Sequence, residues 1–476
     1  MQRHAHGIVI FSVLVAGQSC NPWAMNNPDD PLRCIAPCNA GESCQQGVCQ
    51  KNARCGDSKI NTNEEECDGQ AFGGASCLSK GFAEGSLSCD QECHIDTSSC
   101  VLSGQLVDST PINIATAAQD ESDFRFACGD GSCLTVWREQ AASGVGGIFG
   151  LRLSSEGKKL DPSKIAIATS GPTKAWPMVT RNGNEYWIIW EEGEGGNLEI
   201  HSTRLADTGE ILNQTAARLN VSPVLKTGTA EHACEKGHCL LAWMSEDNDK
   251  WNVYAARFEK ETDQLSEPVV VASSVCEGTT CKNYVDVAST DENFLLVWAT
   301  GTRNIQGARV SFEAALLDAE PLHISSSVGS QRFPRADCST EACWVVWRDE
   351  RRPNVDIYGA RISAAGAVLD PNGVAISTVD AEQYSTDVAC AEDGCLVTWI
   401  NDLGQTQYHS SKYGARVTMA GDVVDKTAIE IQIYSPGSLE NFGQAYSAYD
   451  GKHYWTLWQE YRASTGWDVL GARLAP

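Results

Sequence analysis

The chain has 476 residues, enough for one large domain and a smaller companion. Its 62 Asp and Glu outnumber 36 Lys and Arg, so the net charge is −26 and nucleic acid, whose phosphates such a surface repels, is not an expected partner. Apolar residues make up 42%, a globular proportion that argues against a disordered chain. Helical periodicity is weak, and short runs rich in Val, Ile, Tyr and Trp recur in its place, which is the strand signature. The 21 cysteines imply disulfides and an oxidising compartment, and their odd number leaves one for another task.

Residues 1–19 read as a secretory signal. Arg3 supplies the positive charge, Ile8 to Ala16 a short apolar run, and Gly17 and Ser19 the small residues of a cleavage site. The run is too short for a comfortable membrane span. Cys20 follows directly, an arrangement that resembles the lipobox of bacterial lipoproteins, with Gly17 where that pattern prefers Leu. The resemblance implies a lipid on the Cys20 thiol, and parity agrees, because twenty cysteines then remain. Ordinary cleavage after Ser19 is the competing reading. Asn21, and not Asp, comes next, which under the lipoprotein reading favours the outer membrane or cell surface; the alternative is a secreted protein. Membrane attachment would be through the lipid only. Residues 20–33 are rich in Pro, Asn and Asp and read as a tether.

The segment 34–100 holds ten cysteines: Cys34, Cys38, Cys44, Cys49, Cys55, Cys67, Cys77, Cys89, Cys93 and Cys100. Few large apolar residues lie between them, so cross-links must replace a core, and the even count predicts five internal bridges of open connectivity. His94 is the one histidine there and repeated Cys-x2-Cys pairs are missing, which argues against zinc. The acidic run Glu64 to Asp68 has the makings of a calcium ligand set, but a solvated turn is the favoured reading, and no cofactor is expected. The texts CGDSKINTNEEECDGQAFGGASC (55–77) and SLSCDQECHIDTSSC (86–100) resemble the Cys-rich repeat of myxobacterial and related surface proteins.

From residue 101 to 476 one text returns about every 50 residues. A Trp closes an apolar run at Trp137, Trp190, Trp243, Trp298, Trp347, Trp399 and Trp458. An Arg closes the strand that follows at Arg152, Arg204, Arg257, Arg309, Arg361, Arg416 and Arg473. Several short strands at this period predict an all-β fold, a seven-bladed β-propeller with four strands per blade, preceded by the small disulfide-rich domain. The last unit stops at GARLAP without a fourth strand, whereas GQLVDSTPINIAT (104–116) matches AGAVLDPNGVAIST (365–378). The N-terminal segment is therefore expected to complete the last blade and close the ring. The domain resembles propellers of bacterial surface proteins with a Trp–variable loop–Tyr-Gly-Ala-Arg repeat, found beside Cys-rich segments in myxobacteria. That resemblance implies an exported cell-surface protein and no particular chemistry.

Five Cys-x4-Cys pairs fall in this domain: Cys128/Cys133, Cys234/Cys239, Cys276/Cys281, Cys338/Cys343 and Cys390/Cys395. They are expected to be local disulfides, four of them stapling the turn between first and second strands. The seven Trp should fill space between blades. Two residues after the Trp stands Glu139, Glu192, Asp349 or Glu460 in four units and Asn401 in a fifth, and these acids are expected to pair with the repeated Arg.

The Trp-to-Arg connections vary most, so recognition is expected there, through Asp247, Asp249, Trp251, Arg351, Arg352, Tyr408, Tyr461 and Trp467. Asp247 and Asp249 lack the full spacing of a calcium loop. No nucleophile elbow, zinc helix or phosphate loop is present, and no catalytic residue is assigned. The expected function is binding of polysaccharide or a surface protein. The alternative is a secreted polysaccharide hydrolase or lyase with carboxylates in the propeller channel.

Overall fold

The computed structural model describes residues 42–45, 48–51, 60, 65–77, 80, 82, 84–90 and 93–101, and then 104–476 apart from 117–120, 141–145, 195–196, 214–215, 220, 222–229, 248–249, 278–284, 302, 403–409, 433–441 and 463–465. Cys20 and the leader lie outside the described residues. The chain divides into two compact units, 1–102 and 103–476. No helix among the described residues is long and apolar enough to cross a membrane.

The first unit is a set of two-stranded hairpins held by sulfur. Glu42–Gln45 pairs with Val48–Lys51, Ser88–Cys89 with Ile95–Asp96, and Glu84–Gly85 with Cys100–Val101. Cys67 bonds to Cys89 and Cys77 to Cys100, and Cys93 is also disulfide-bonded. Of the five bridges expected, those on Cys34, Cys38 and Cys55 lie outside the described residues. Glu65, Asp68 and Cys93 come close enough to share an ion, but the Cys93 sulfur is spent on its disulfide. Two carboxylates fall well short of the six to eight oxygens calcium takes.

The second unit is a ring of seven antiparallel sheets, six of four strands and the third of five, the extra one being the short Gln264–Leu265. Blades 1 to 6 span 121–168, 174–218, 230–277, 285–325, 331–377 and 382–432, and blade 7 spans 442–474. The fourth strand of blade 7 is Ile112–Ala115, paired antiparallel with Gly466–Leu474. The N-terminal segment thus closes the ring, as the repeat in the sequence requires. First strands of successive blades neighbour one another all the way round, blade 7 to blade 1 included, so they line the central channel.

Packing follows the alternation of apolar residues along each strand. Seven hydrophobic cores form among the described residues, one at each junction between blades. One of the seven repeated Trp sits in each core, all of them 2% exposed or less. Four of their indole N–H groups donate to the residue two positions on. Trp190 donates to Glu192 (3.1 Å), Trp347 to Asp349 (2.9 Å), Trp399 to Asn401 (2.9 Å) and Trp458 to Glu460 (3.3 Å).

The repeated Arg therefore pairs elsewhere than expected. In four blades its partner is an Asp nine residues on, past the turn between third and fourth strands, whereas Arg204 and Arg257 have Asn213 and Ser266 there and pair with Asp263 and Glu313 of the next blade. Arg361 grips Asp370 through two parallel bonds (2.8 and 2.9 Å), and Arg309, Arg152 and Arg416 hold Asp318, Asp161 and Asp425 the same way. In blade 7 the partner of Arg473 is Asp108, from the closing segment (2.6 Å). Three of the acids after the Trp are taken by the indoles and the fourth, Glu139, by Lys164, whereas the turn brings its Asp back beside the Arg at bidentate range. The third guanidinium nitrogen reaches the next blade: Arg309 donates to the Ala364 carbonyl (2.9 Å) and Arg361 to that of Met419 (2.8 Å). Gly366 and Gly421 lie against those guanidiniums with φ of +85° and +99°, and a Cβ there would stand 2.6–2.7 Å from Arg309 or Arg361 atoms. Each Arg is a strut between neighbouring blades.

Four Cys-x4-Cys pairs are closed: Cys128–Cys133, Cys234–Cys239, Cys338–Cys343 and Cys390–Cys395, each joining facing residues of first and second strands. Cys276 is disulfide-bonded too, and Cys281 lies outside the described residues. Disulfides in both units fit an extracellular or secreted protein.

Candidate functional site at the channel mouth

One register position of the first strands decides the chemistry of the channel. It faces the residue that precedes the repeated Trp. Arg125 faces Val136, Met178 faces Ile189, Glu231 faces Ala242 and Asp286 faces Val297. Arg335, Asp387 and Tyr446 face Val346, Thr398 and Leu457. Seven blades thus bring Arg, Met, Glu, Asp, Arg, Asp and Tyr to one level. The signal for it was in the sequence: in four blades this residue stands three before the first cysteine of the Cys-x4-Cys pair, in RFAC, EHAC, RADC and DVAC.

The ring is wired together. Glu231 takes Arg125 at 3.3 Å and Arg335 at 3.1 Å, and Arg335 also reaches Asp286 at 3.2 Å. The Tyr446 ring lies under both cations, 4.0 Å from the Arg125 guanidinium carbon and 5.6 Å from that of Arg335. The aspartates have a second task. First strands are edge strands, with backbone N–H groups left over on the channel side. Asp286 accepts from the Ala336 N–H (2.7 Å), Asp387 from that of Ser447 (2.5 Å) and Asp337 from that of Cys390 (2.7 Å), each one blade on.

Burial drives the carboxyls apart. It pushes Asp286 up to about 7, against the pull of Arg335, and the Glu231 charge adds to the rise. Burial acts on Glu231 as well, but Arg125 and Arg335 together hold it below the ordinary carboxylate value. Asp387 is raised to about 6 and Asp337 to about 7, both by burial first. The ring therefore offers a Glu231 held in its ionised form beside an Asp286 that keeps its proton to higher pH. His232, next along the strand, is pushed down to about 4 by burial and stays neutral against the Trp187 carbonyl.

The ring divides the channel into two vestibules. Arg125, Arg335 and Tyr446 line both. The wider, about 940 Å³, opens on the face of the disulfide-stapled turns and is lined by Asp130, Glu231, Glu235, Asp286, Asp337 and Asp387 along with basic residues. The other, about 390 Å³, opens on the face of the Trp-to-Arg connections. Its walls come from six blades: Arg125, Trp176 to Met178, Ala230, Phe333 to Arg335, Arg348, Tyr384 to Thr386, and Gln444 to Tyr446. β-Bulges aim part of this lining. The first strands of blades 2, 5 and 6 shift register at Ala175/Met178, Arg332/Arg335 and Tyr384/Asp387, and Trp176, Phe333 and Ser385 sit on the bulges with φ of 49–53°. A bulky residue at positive φ is costly, and such residues cluster at binding sites.

The residues expected to bind from the loops are dispersed over three blades. Trp251, in blade 3, packs on a hydrophobic core. Arg351 is locked on Asp349 (2.6 and 2.8 Å) and over the Tyr358 ring, and Arg352 donates to the Thr378 carbonyl (2.7 Å). Tyr461 and Trp467 face each other across a hairpin with ring centroids 5.6 Å apart. Asp247 ends the second strand of blade 3, whereas Asp249 and Tyr408 lie outside the described residues. None of the described ones lines the 390 Å³ vestibule.

No family model and no curated protein matches the chain. Among solved structures it is similar to an ulvan lyase of polysaccharide lyase family PL25, at 9% identity over 76% of this chain and 95% of that one, with a TM-score of 0.49. It is also similar to the β-propeller domain of the Trilobed protease from Pyrococcus furiosus, at 8% identity over 75% and 98%, TM-score 0.45. A third is the sialidase of Trypanosoma rangeli, at 9% identity over 75% of this chain and 55% of that one, TM-score 0.35. Likenesses at this level carry no chemistry to this chain.

Proposed function

We propose that this is an exported polysaccharide-binding protein that seats part of a glycan chain in the 390 Å³ vestibule and is held at the cell surface by a lipid on Cys20. The observation that carries the reading is the vestibule itself. It is concave, walled by Trp176, Phe333, Tyr384 and Tyr446, and edged by Gln444, Ser385 and Thr386. Aromatic faces with a few amides and hydroxyls suit a pyranose ring, whose two sides are apolar and whose rim is polar. A protein partner would call for a broad apolar patch, whereas the exposed large hydrophobic residues are spread over the blades.

One observation favours a second reading. Glu231 and Asp286 share Arg335 with their affinities for protons driven apart, which is how a pair of carboxyls divides acid and base duties. A single experiment addresses both readings. The full-length protein, expressed in a bacterial host, is incubated with a panel of soluble polysaccharides and followed for retention and for new reducing ends. Retention without new ends is the expected result. Polymer cleavage that disappears in Asp286→Asn would establish the enzyme instead. In the same cells Cys20→Ala should release the protein from the membrane fraction, and unchanged fractionation would sink the anchor.

A further inference from the structure

The 390 Å³ vestibule has a property that its aromatic walls do not require. Three of its lining residues are Arg125, Arg335 and Arg348, and among the described residues no Asp or Glu lines it. This stands out on a chain of net charge −26. The carboxylates that balance two of these cations face the other way. Glu231 and Asp286 line the opposite vestibule and not this one. Arg125 and Arg335 line both vestibules, so the small one shares their charge without Glu231 or Asp286 on its wall, whereas the large one mixes carboxylates with cations.

Arg348 is the cation with most to give. It ends the second strand of blade 5 and lies over the Phe333 ring, 5.1 Å from its centroid. Among the described residues it makes no ion pair, and its buried Nε has no hydrogen-bond partner. Burial pulls its pKa below the ordinary value, since a cation that has lost water gains no direct ion pair in return. The Nε of Arg125 is likewise buried and unpartnered. Buried polar groups left unmade are costly, and a ligand that completes them recovers that cost. A planar guanidinium completes its bonds best with a planar or tetrahedral oxyanion.

We infer that the vestibule is selective for an acidic sugar, a pyranose bearing a carboxylate or a sulfate ester, with Arg348 as the residue that selects the charge. The inference rests on the reading of the vestibule as a glycan site. The aromatic residues hold the ring, and the acid group lies against Arg348 and Arg125. The −26 surface repels a polyanion at long range, so binding should depend on the local site and be weakened by salt only modestly once seated.

The test is isothermal titration of the full-length protein with three probes: a trimer of galacturonate, which carries carboxylates alone; a κ-carrageenan oligosaccharide, which carries sulfate alone; and a neutral galactose trimer. At least one acidic probe should bind tenfold or more tightly than the neutral one, and which one distinguishes carboxylate from sulfate. Arg348→Gln should erase that preference without moving the melting temperature, because Arg348 holds no ion pair among the described residues, and Arg348→Lys should restore part of it. Equal affinity for neutral and acidic probes, or a preference that survives Arg348→Gln, overturns the inference and leaves the glycan site standing. Failure of all three probes to bind overturns the glycan site and the inference with it.

Discussion

Lys412 shows how one residue can break a repeat. The strand that carries the repeated Arg starts its buried face with Ile148, Ile200, Val253, Ile305, Ile357 and Val469 in six blades, and with Lys412 in blade 6. Lys412 is fully buried and among the described residues its amine finds no hydrogen-bond partner. Burial lowers its pKa from 10.5 to about 7, with the Asp387 charge pulling the other way. Aliphatic neighbours could not be replaced by an ammonium at no cost. Lys412→Met keeps the volume and removes the charge, so it should stabilise the protein, on the order of 2 kcal/mol at neutral pH. Thermal unfolding of the variant measures this, and a lower melting temperature would show that Lys412 is satisfied by a group other than Asp387. The Arg struts make the opposite case. Arg361 and Asp370 are both part-buried and mutually saturated, and Arg361 lifts the burden of desolvation from Asp370, whose pKa is lowered by their hydrogen bonds first.

Among elements, the closing strand carries the most. Ile112–Ala115 pairs with the last strand of the chain, and Ile114 enters the core between blades 7 and 1. Ahead of it, Asp108 holds Arg473, and Gly104 packs on Arg416, so the segment also supplies the turn that blade 7 lacks. Deleting 104–116 removes a strut, a strand and part of a core together. The melting temperature should fall by about 10 °C or more, since several kcal/mol are lost from a large domain. The exposed edge of Gly466–Leu474 should then promote self-association, visible in size-exclusion chromatography. An unchanged melting temperature would refute closure by this segment. The four stapled hairpins matter less individually, roughly 2 kcal/mol each, because the loops they close are short.

At the scale of the whole molecule, the buried ring should shape stability against pH. Asp286 and Asp337 are raised to about 7 and Asp387 to about 6, all from 3.8. Between about pH 4 and 7 the folded protein keeps protons that the unfolded chain has released, so stability falls as pH rises. His232, lowered from 6.5 to about 4, opposes these three aspartates with a single proton. Lys412 is neutral in the fold and charged in the unfolded chain between about pH 7 and 10.5, so stability rises again across that window. A shallow minimum in melting temperature near pH 7 is expected, with Asp387→Asn flattening its acid side and Lys412→Met its alkaline side. A profile with its maximum at neutral pH would contradict the assignment of these groups.

Local text was enough for the architecture. The period of Trp and Arg, the cysteine pairs and the match of 104–116 to 365–378 each reflect an element that every blade repeats, and repetition is visible along a chain. Pairing across turns was not visible. The acids two residues after the Trp in four units looked like partners for the Arg, but in three of them the side chain meets the indole, and in four blades an Asp from nine residues on folds against the guanidinium. The channel ring was hidden for the same reason. Arg125, Glu231, Asp286, Arg335, Asp387 and Tyr446 are scattered over more than 300 residues, unlike one another, and each is unremarkable in its own blade. Only closure of the ring brings Arg125, Glu231, Asp286, Arg335 and Tyr446 into contact, and only the shared burial there separates the proton affinities of Glu231 and Asp286 and keeps both off the wall of the small vestibule.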